Sequence, residues 1–214
     1  PHGQIAAQNT MTNSIAAHTG SGASIVIPIK GLASGKSRLE AALSQDQREA
    51  LNRRLADHTL ETAKEAARKL STDVTVYVLS PDPAFAPIAA SHDALFLSQA
   101  SSGLNSGLEE AVPRLPEHRT VFLAVDLPEL TTEDIDQLLD VSGIGIAPDE
   151  AQTGTNAISV PQPGILTFHF GPQSAQLHIQ SAEKTGLPVQ VLRRPGLAFD
   201  LDTKEDLSRI QGWQ

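Results

Sequence analysis

The sequence predicts a single α/β domain built on a mostly parallel sheet. Short apolar runs of strand length alternate with longer segments of helical spacing along most of the chain, and loops rich in glycine, proline and polar residues separate them. A chain of 214 residues suffices for one such domain with a sizeable core. We therefore expect residues 23–214 to form one domain. Residues 1–22 are small and polar, and we expect a disordered N-terminal extension in which Met11 is a candidate natural start.

The composition argues against several classes of function. The net charge of −9 is unsuited to general nucleic-acid binding, which requires a basic surface. The chain has no cysteine, which excludes disulfides, thiolate metal sites and a cysteine nucleophile. No apolar run approaches the roughly 18 residues of a membrane span, and the first residues lack the features of a secretory signal. We expect a cytoplasmic protein with neither nucleic-acid nor membrane partners.

The first predicted strand, residues 25–29, is an apolar run typical of a parallel sheet. A loop of small residues from Gly31 to Gly35 follows, and then come Lys36, Ser37 and Arg38. The N–H groups of such a loop and its basic side chains can all face one phosphate at the end of the strand. Only three residues separate the two glycines, whereas a P-loop has four, so the stretch does not match that motif. An exposed connection with two solvated cations is the alternative.

Residues 44–70 are predicted to form the first helix, because their apolar residues follow helical spacing and Ser44 with Gln47 makes a capping box. His58 lies on or near the apolar stripe, where a core or groove histidine is more common than a ligand. The next predicted elements are a strand over 74–79, a helix over 84–90 and a strand over 94–97.

A glycine and an asparagine, Gly103 and Asn105, precede a helix predicted over 106–112. At a helix start they offer free N–H groups and a side-chain amide. These groups suit contact with a base or ribose as well as ordinary capping, and capping is the favoured alternative from the residues alone.

The fourth strand, residues 120–125, is the clearest in the sequence, and it ends at Asp126; the next helix begins at Thr131 or Thr132. A carboxylate at the end of a central strand lies where a sheet of this type places its ligand. Asp126 can there hold Mg²⁺ between the protein and a triphosphate, because this ion prefers oxygen ligands and takes few of them from protein. The alternative is an aspartate that caps the next turn.

Four further elements are predicted in order: a strand over 144–147, two strands over 157–160 and 165–170 that form a hairpin, and a helix over 175–184. Thr155 and the start of that helix supply hydroxyl and N–H groups that suit a carboxylate or a phosphate. His178, one turn inside the helix, could reach the same ligand or could lie on the surface.

The last elements are a strand over 189–192 and a helix that begins at Lys204. Between them, Asp200 and Asp202 alternate in an extended segment, so both carboxylates can point to one side. Two such carboxylates repel each other unless a cation lies between them, and either Mg²⁺ or a neighbouring arginine would serve. Asp202 could instead only cap the final helix.

Six motifs, in this order, resemble those of the CofC/FbiD family: PIKGLASGKSRL, GLNSGL, AVDLPELT, APDEAQTGTNAI, FGPQSAQLH and FDLDTKEDL. Each is weak alone, but together they cover residues 24–207 with family-like spacing. Members of the family join GTP to 2-phospho-L-lactate, phosphoenolpyruvate or 3-phospho-D-glycerate and release pyrophosphate, in coenzyme F420 biosynthesis. The resemblance implies a Rossmann-like nucleotide-diphospho-sugar transferase fold, which is a three-layer α/β/α sandwich, and a homodimer.

The resemblance also implies roles for individual residues. The implied GTP-binding residues are Lys30, Lys36, Gly103 and Asn105. The implied ligands of Mg²⁺ are Asp126, Asp200 and Asp202. The implied contacts to the phosphorylated acid are Thr155, Gly171 and Ser174. The implied catalytic residues are Lys36, Arg38 and Asp126.

Two other functions stay open at the level of the sequence. One is a nucleotide- or phosphate-binding module without chemistry, although such a module has less need of three metal-binding carboxylates. The other is a sugar-1-phosphate nucleotidyltransferase of the same fold, but the loop after the first strand lacks the G-x-G-x-R pattern of those enzymes.

Overall fold

The computed structural model describes residues 22–31, 36–70 and 73–210, except for the side chain of Ser37. Residues 1–21 of the extension expected to be disordered lie outside these ranges, and so does the middle of the predicted phosphate loop, residues 32–35. The expectation is wrong for Gly22, which begins the first strand. The strands are β1 (Gly22–Pro28), β2 (Asp73–Ser80), β3 (Leu95–Ser98), β4 (Arg119–Leu123), β5 (Ile144–Pro148), β6 (Thr155–Val160) and β7 (Val189–Val191).

The seven strands form one sheet in the order β3-β2-β1-β4-β6-β5-β7. Neighbours are parallel throughout, except that β6 is antiparallel to both β4 and β5. The predicted α/β class with a mostly parallel sheet is confirmed. Each strand coincides with a short apolar run, because a strand buried on both faces needs apolar side chains at successive positions.

The helices are α1 (Gln45–Lys69), α2 (Phe85–Ser91), α3 (Leu104–Ala111), α4 (Thr132–Leu139), α5 (Ser174–Glu183), α6 (Pro195–Ala198) and α7 (Lys204–Arg209). The capping box predicted for α1 is present: the Ser44 hydroxyl accepts from the Gln47 N–H, and the Gln47 side chain accepts from the Ser44 N–H. The short helix α6 has no counterpart in the sequence prediction. Within the described ranges, no helix has both the length and the apolar character needed to cross a membrane.

The helices cover both faces of the sheet. Along β1, Ile25 and Ile27 point into a core shared with α1, α2 and α4, whereas Val26 points into a second core shared with α3 and α5. This alternation follows from the period of two in a strand. The result is the three-layer α/β/α sandwich that the resemblance implies.

A third, smaller core joins the start of the chain to its end. Leu39, which closes a 3₁₀ turn over Ser37–Leu39, packs with Phe199 and Leu201. The first turns of α1 complete this cluster through Leu51 and Leu55. The basic residues before Leu39 are therefore held beside the aspartates that flank Leu201.

The predicted hairpin between residues 157–160 and 165–170 is wrong. The first segment belongs to β6, which pairs with β4 and β5, and residues 165–170 form no strand. Three successive backbone N–H groups of the second segment are instead bound by side chains: Phe168 by Glu109, His169 by His178 and Phe170 by Asn105. Because helices α3 and α5 take these donors, none of the three can serve a strand ladder.

The reversed direction of β6 matters for the site. Because β6 runs against its neighbours, its first residues lie at the edge of the sheet where β4 and β5 end. The backbone shows this directly, since the Ala124 N–H after β4 donates to the Asn156 carbonyl at 2.8 Å. Thr155 thus shares the carboxyl edge with Asp126.

Candidate active site

Lys36 is at the centre of a charged cluster on the carboxyl edge. Its ammonium lies 2.7 Å from Asp126 Oδ2 and 3.1 Å from Asp202 Oδ1, and its side chain is only 6% exposed. These three residues come from the first loop, the end of β4 and the segment before α7. Three distant parts of the sequence therefore meet in one ion-paired group.

The backbone around this cluster is held firmly. The Leu201 N–H donates to the Asp126 carbonyl at 2.9 Å, so the segment of Asp200 and Asp202 is bonded directly to the end of β4. Lys36 itself has a φ of +59°, in the left-handed region that non-glycine residues seldom adopt. A strained backbone at this point fits a functional site, where the surrounding structure holds an unfavourable conformation.

The charges of the cluster shift two pKa values. Burial would lower the pKa of Lys36, but the attraction of Asp126 and Asp202 outweighs it and the pKa is raised. Burial raises the pKa of Asp200 to about 6, and repulsion from Asp126 and Asp202 adds to this effect. Asp200 is thus close enough to Asp126 and Asp202 to feel the charge of both.

Arg38 extends the cluster toward solvent. Its guanidinium lies 3.3 Å from Asp202 Oδ2, and its side chain is 75% exposed. The sequence predicted Mg²⁺ or an arginine between Asp200 and Asp202. The structure instead places Lys36 between Asp126 and Asp202, and Arg38 contacts Asp202 from the outer side. The alternative in which Asp202 caps the last helix is wrong, because Thr203 caps α7.

The described residues include no group of three or more histidine, aspartate or glutamate side chains arranged to hold a metal ion. Chemically, the carboxylates of Asp126, Asp200 and Asp202 suit a hard divalent cation, which prefers oxygen ligands. In this conformation the ammonium of Lys36 lies between two of them. The chemistry of this donor set suits Mg²⁺, and in this structure Lys36 takes the place between Asp126 and Asp202.

Sequence reasoning missed Asn156, which positions Asp200. Its amide donates to the carbonyl of Leu197 in α6 at 2.9 Å and is hydrogen-bonded to Asp200. Arg194, just before α6, is paired with Asp134, which also completes the capping box of α4. These contacts link residues far apart in the sequence, so no local pattern could have indicated them.

The residues implied for the phosphorylated acid lie around the start of α5. Thr155 and Ser174 are both buried, and Gly171 is exposed with a φ of +132°. Gln173, the residue before α5, has a φ of +60°, and no side chain caps this helix. His178 is fully buried, so its placement on the surface is wrong; its ring lies 2.9 Å from the Thr155 hydroxyl.

The residues implied for GTP lie in two regions, the loop after β1 and the start of α3. Lys30 is exposed just after β1, and Gly103 is exposed with a φ of +88° at the start of α3. The amide of Asn105 does not cap α3; it donates to the Phe170 carbonyl at 3.0 Å and accepts from the Phe170 N–H at 2.8 Å. Asn105 therefore joins the start of α3 to the loop before α5.

Two further residues that sequence reasoning missed shape the loop before α3. The Gln99 amide donates to the carbonyls of Ser101 and Gly103, and Glu110 accepts from the N–H groups of Ala100 and Ser101. The side chains of Gln99 and Glu110 thus bind the backbone of this loop, and Gly103 is exposed to solvent.

Comparisons with known proteins identify the family of this chain. The sequence model of the family described as "Guanylyl transferase CofC like" matches residues 23–211. A phosphoenolpyruvate guanylyltransferase of Rubrobacter xylanophilus is 40% identical over 193 residues, which are 87% of this chain and 92% of the relative. A protein of the same name from Sphaerobacter thermophilus is 41% identical over 87% of this chain and 91% of its own length.

The structural comparison addresses the fold alone. A crystal structure from Desulfovibrio desulfuricans G20, assigned as a nucleotide-diphospho-sugar transferase, superposes with a TM-score of 0.67 at 18% identity. The match covers 86% of this chain and 84% of the other. The expected nucleotide-diphospho-sugar transferase-like fold is therefore confirmed. The family model and the relatives from Rubrobacter and Sphaerobacter show that the chain belongs to the CofC-like guanylyl transferases, a family of nucleotidyltransferases, as its six motifs predicted.

Proposed function

We propose that this protein is a guanylyltransferase that joins GTP to a three-carbon phosphorylated acid and releases pyrophosphate, in coenzyme F420 biosynthesis. Phosphoenolpyruvate is the first candidate acid, because the relatives from Rubrobacter and Sphaerobacter are named for it. The alternatives are 2-phospho-L-lactate and 3-phospho-D-glycerate. The observation that carries the proposal is the ammonium of Lys36 held between Asp126 and Asp202 at the carboxyl edge.

The proposed reaction is a displacement at the α-phosphorus of GTP. A phosphate oxygen of the acid attacks this phosphorus and a new P–O–P bond forms. The bond from the α-phosphorus to the bridging oxygen breaks, and pyrophosphate leaves with the electron pair. The attacking phosphate is already ionised at neutral pH, so no strong general base is required.

The main obstacle is repulsion, because both substrates are anions. Lys36 and Arg38 would lower it by placing positive charge beside the phosphates of GTP. For Lys36 this means leaving Asp126 and Asp202 for the nucleotide. Asp126, Asp200 and Asp202 would then hold Mg²⁺, which supplies further positive charge to phosphate oxygens when bound.

The acid would bind at the start of α5. The dipole of a ten-residue helix favours an anion at its N-terminus, where the N–H groups of Ser174 and Ala175 donate to the carbonyls of Gly171 and Thr153. The hydroxyls of Thr155 and Ser174 would add hydrogen bonds, and the open backbone at Gly171 would allow close approach. This arrangement would set the phosphate of the acid beside the charged cluster.

One experiment tests the proposal and selects among the acids. The protein is incubated with GTP, Mg²⁺ and all three acids in competition, and products are identified by mass spectrometry while pyrophosphate is measured. A guanylylated acid with matching pyrophosphate is expected. Binding of GTP without pyrophosphate release would indicate a non-catalytic module. Turnover only in a parallel incubation with sugar 1-phosphates would indicate a sugar-1-phosphate nucleotidyltransferase.

The matched variants for this assay are D126N and D140N. Asp126→Asn removes the carboxylate beside Lys36, and we expect turnover to fall at least about 100-fold, by analogy with the loss of one charge-stabilising group. Asp140→Asn removes one charge at the exposed end of α4 and should leave turnover unchanged. Near-normal turnover by D126N would contradict the proposed role of Asp126.

A further inference from the structure

Both ring nitrogens of His178 are engaged, and this fixes the position of its proton. Nε2 accepts from the backbone N–H of His169 at 2.8 Å. A backbone N–H can only donate, so Nε2 carries no proton and the neutral ring must carry its proton on Nδ1. Burial lowers the pKa of His178 to about 4, so the ring is neutral at physiological pH.

The Nδ1 proton determines what the Thr155 hydroxyl can do. Nδ1 lies 2.9 Å from Thr155 Oγ1, and with this tautomer the imidazole is the donor and the hydroxyl oxygen the acceptor. The hydroxyl hydrogen cannot point back at His178. In the part of the chain that the structure describes, no other hydrogen bond to Oγ1 exists, so this hydrogen is available to a ligand.

We propose that His178 is a positioning residue that makes the Thr155 hydroxyl a dedicated hydrogen-bond donor to the phosphorylated acid. A free hydroxyl can turn its lone pairs or its hydrogen toward a ligand, and only the hydrogen attracts an anion. Because the imidazole N–H donates to the hydroxyl oxygen, the hydroxyl hydrogen of Thr155 must point away from the imidazole. The inference rests on the proposed function, because it assumes that Thr155 contacts the acid.

The surroundings of His178 hold the ring in the required orientation. The Phe170 ring meets it edge-on at a centroid distance of 4.8 Å. The Phe170 backbone is in turn bonded in both directions by the amide of Asn105. The imidazole is thus fixed between α5, to which it belongs, and a segment anchored on α3.

Two substitutions separate the two hydrogen bonds of His178. In His178→Asn, the amide nitrogen can replace the Nδ1 donor to Thr155, but the side chain is too short to accept from His169. In His178→Gln, the amide oxygen can replace the Nε2 acceptor, but no donor remains at the Nδ1 position. Thr155→Val and Thr155→Ser form the matching pair, because valine removes the hydroxyl and serine keeps it.

The measurements are kcat, the KM for the acid, the KM for GTP and the thermal midpoint of each variant. We expect T155V and H178Q to raise the KM for the acid about tenfold or more, as for a lost hydrogen bond to an anion, with the KM for GTP unchanged. H178N and T155S should raise the KM for the acid less than H178Q and T155V do, because H178N keeps a donor to Thr155 and T155S keeps the hydroxyl. The double variant T155V/H178Q should be no worse than T155V, because both changes remove the same interaction.

Several results would overturn the inference. Equal losses in H178N and H178Q, additivity of H178Q with T155V, or a parallel rise in the KM for GTP would assign His178 a purely structural role. If H178Q does not fold, the inference still requires T155V to raise the KM for the acid more than H178N does. If the parent protein turns over none of the acids, the proposed function is overturned together with this inference. If the parent turns over an acid and the variants behave as the parent does, only this inference is overturned.

Discussion

The ammonium of Lys36 lies 2.7 Å from the carboxylate of Asp126, so a buried cation from the first loop pairs with the acid at the end of a central strand. The pair is costly to bury unless both partners stay together. Under the proposed function, the phosphates of GTP would be the partner that draws Lys36 away from Asp126. The first prediction concerns this lysine.

Replacing Lys36 should separate its charge from its backbone strain. Both Lys36→Gly and Lys36→Ala remove the ammonium, and we expect each to lose at least about 100-fold in turnover. Glycine accepts the φ of +59° without strain. The free energy of unfolding of K36G should therefore exceed that of K36A by about 1 kcal/mol. Urea denaturation measures this difference.

Asp93 offers the control for this comparison. It too has a positive φ, of +52°, but it lies on the surface after α2. Asp93→Gly should therefore be more stable than Asp93→Ala by a similar amount, with full turnover in both. Equal stability of K36G and K36A, alongside a clear difference at Asp93, would contradict the strain at Lys36.

The second prediction is a pH dependence of stability caused by His178. The native pKa is about 4, and an unfolded histidine has a pKa of about 6.5. Between these values the unfolded chain binds a proton that the native ring excludes, so stability is complete above about pH 6.5 and falls as the pH drops toward 4. The loss should reach about 2–3 kcal/mol.

Comparison with H178N isolates this contribution. Asp200 titrates in the same range with the opposite sign, because its pKa is raised, but it is present in both proteins and cancels. We expect the free energy of unfolding of the parent to fall relative to H178N between pH 7.5 and 4.5. Parallel curves for the two proteins would mean that His178 is not a neutral buried ring.

The third prediction concerns Asn105. Asn105→Ala leaves the N–H and the carbonyl of Phe170 without their amide partner, and we expect a loss of about 1–2 kcal/mol in unfolding free energy. Because Phe170 packs on His178, the KM for the acid should rise as well. Unchanged stability together with a higher KM for GTP alone would instead favour the direct nucleotide contact that the family resemblance implies.

The fourth prediction concerns Gly196 in α6. A Cβ at this position would overlap the carboxylate of Asp134 and lie 2.6 Å from the carbonyl of Glu129. Gly196→Ala should therefore force α6 away from Asp134 and shift the neighbouring Asp200, with a loss of more than about 2 kcal/mol in stability, as for overpacked interiors. Wild-type stability and turnover in G196A would show that this contact is easily relieved.

The sequence was informative where structure is determined locally. The capping box of Ser44 and Gln47 marks the start of α1, and the apolar runs mark the strands. Because the carboxyl ends of parallel strands meet at one edge, the first loop and Asp126 could be expected to lie together. What the pattern did not reveal is that Lys36 would itself be the cation between the aspartates.

The errors arose where distant residues decide the outcome. Residues 165–170 alternate like a strand, yet side chains of α3 and α5 bind their backbone, and nothing in the segment itself indicates those partners. The direction of β6 could not be predicted either, because its apolar run would look the same in a parallel strand. The proton on His178 Nδ1 depends on one backbone N–H, which only the folded chain brings near.

The reversal of β6 has a consequence for how this enzyme family can diversify. Because β5 and β6 form one contiguous hairpin, its tip over residues 149–154 lies beside Thr155, while Lys36 and Asp126 belong to other segments. The N–H groups of Thr153 and Gly154 donate to the carboxylate of Asp149, and these bonds within the tip help it to keep its shape. We therefore expect that exchanging residues 149–154 between relatives would change which acid is preferred and leave the reaction with the nucleotide unchanged.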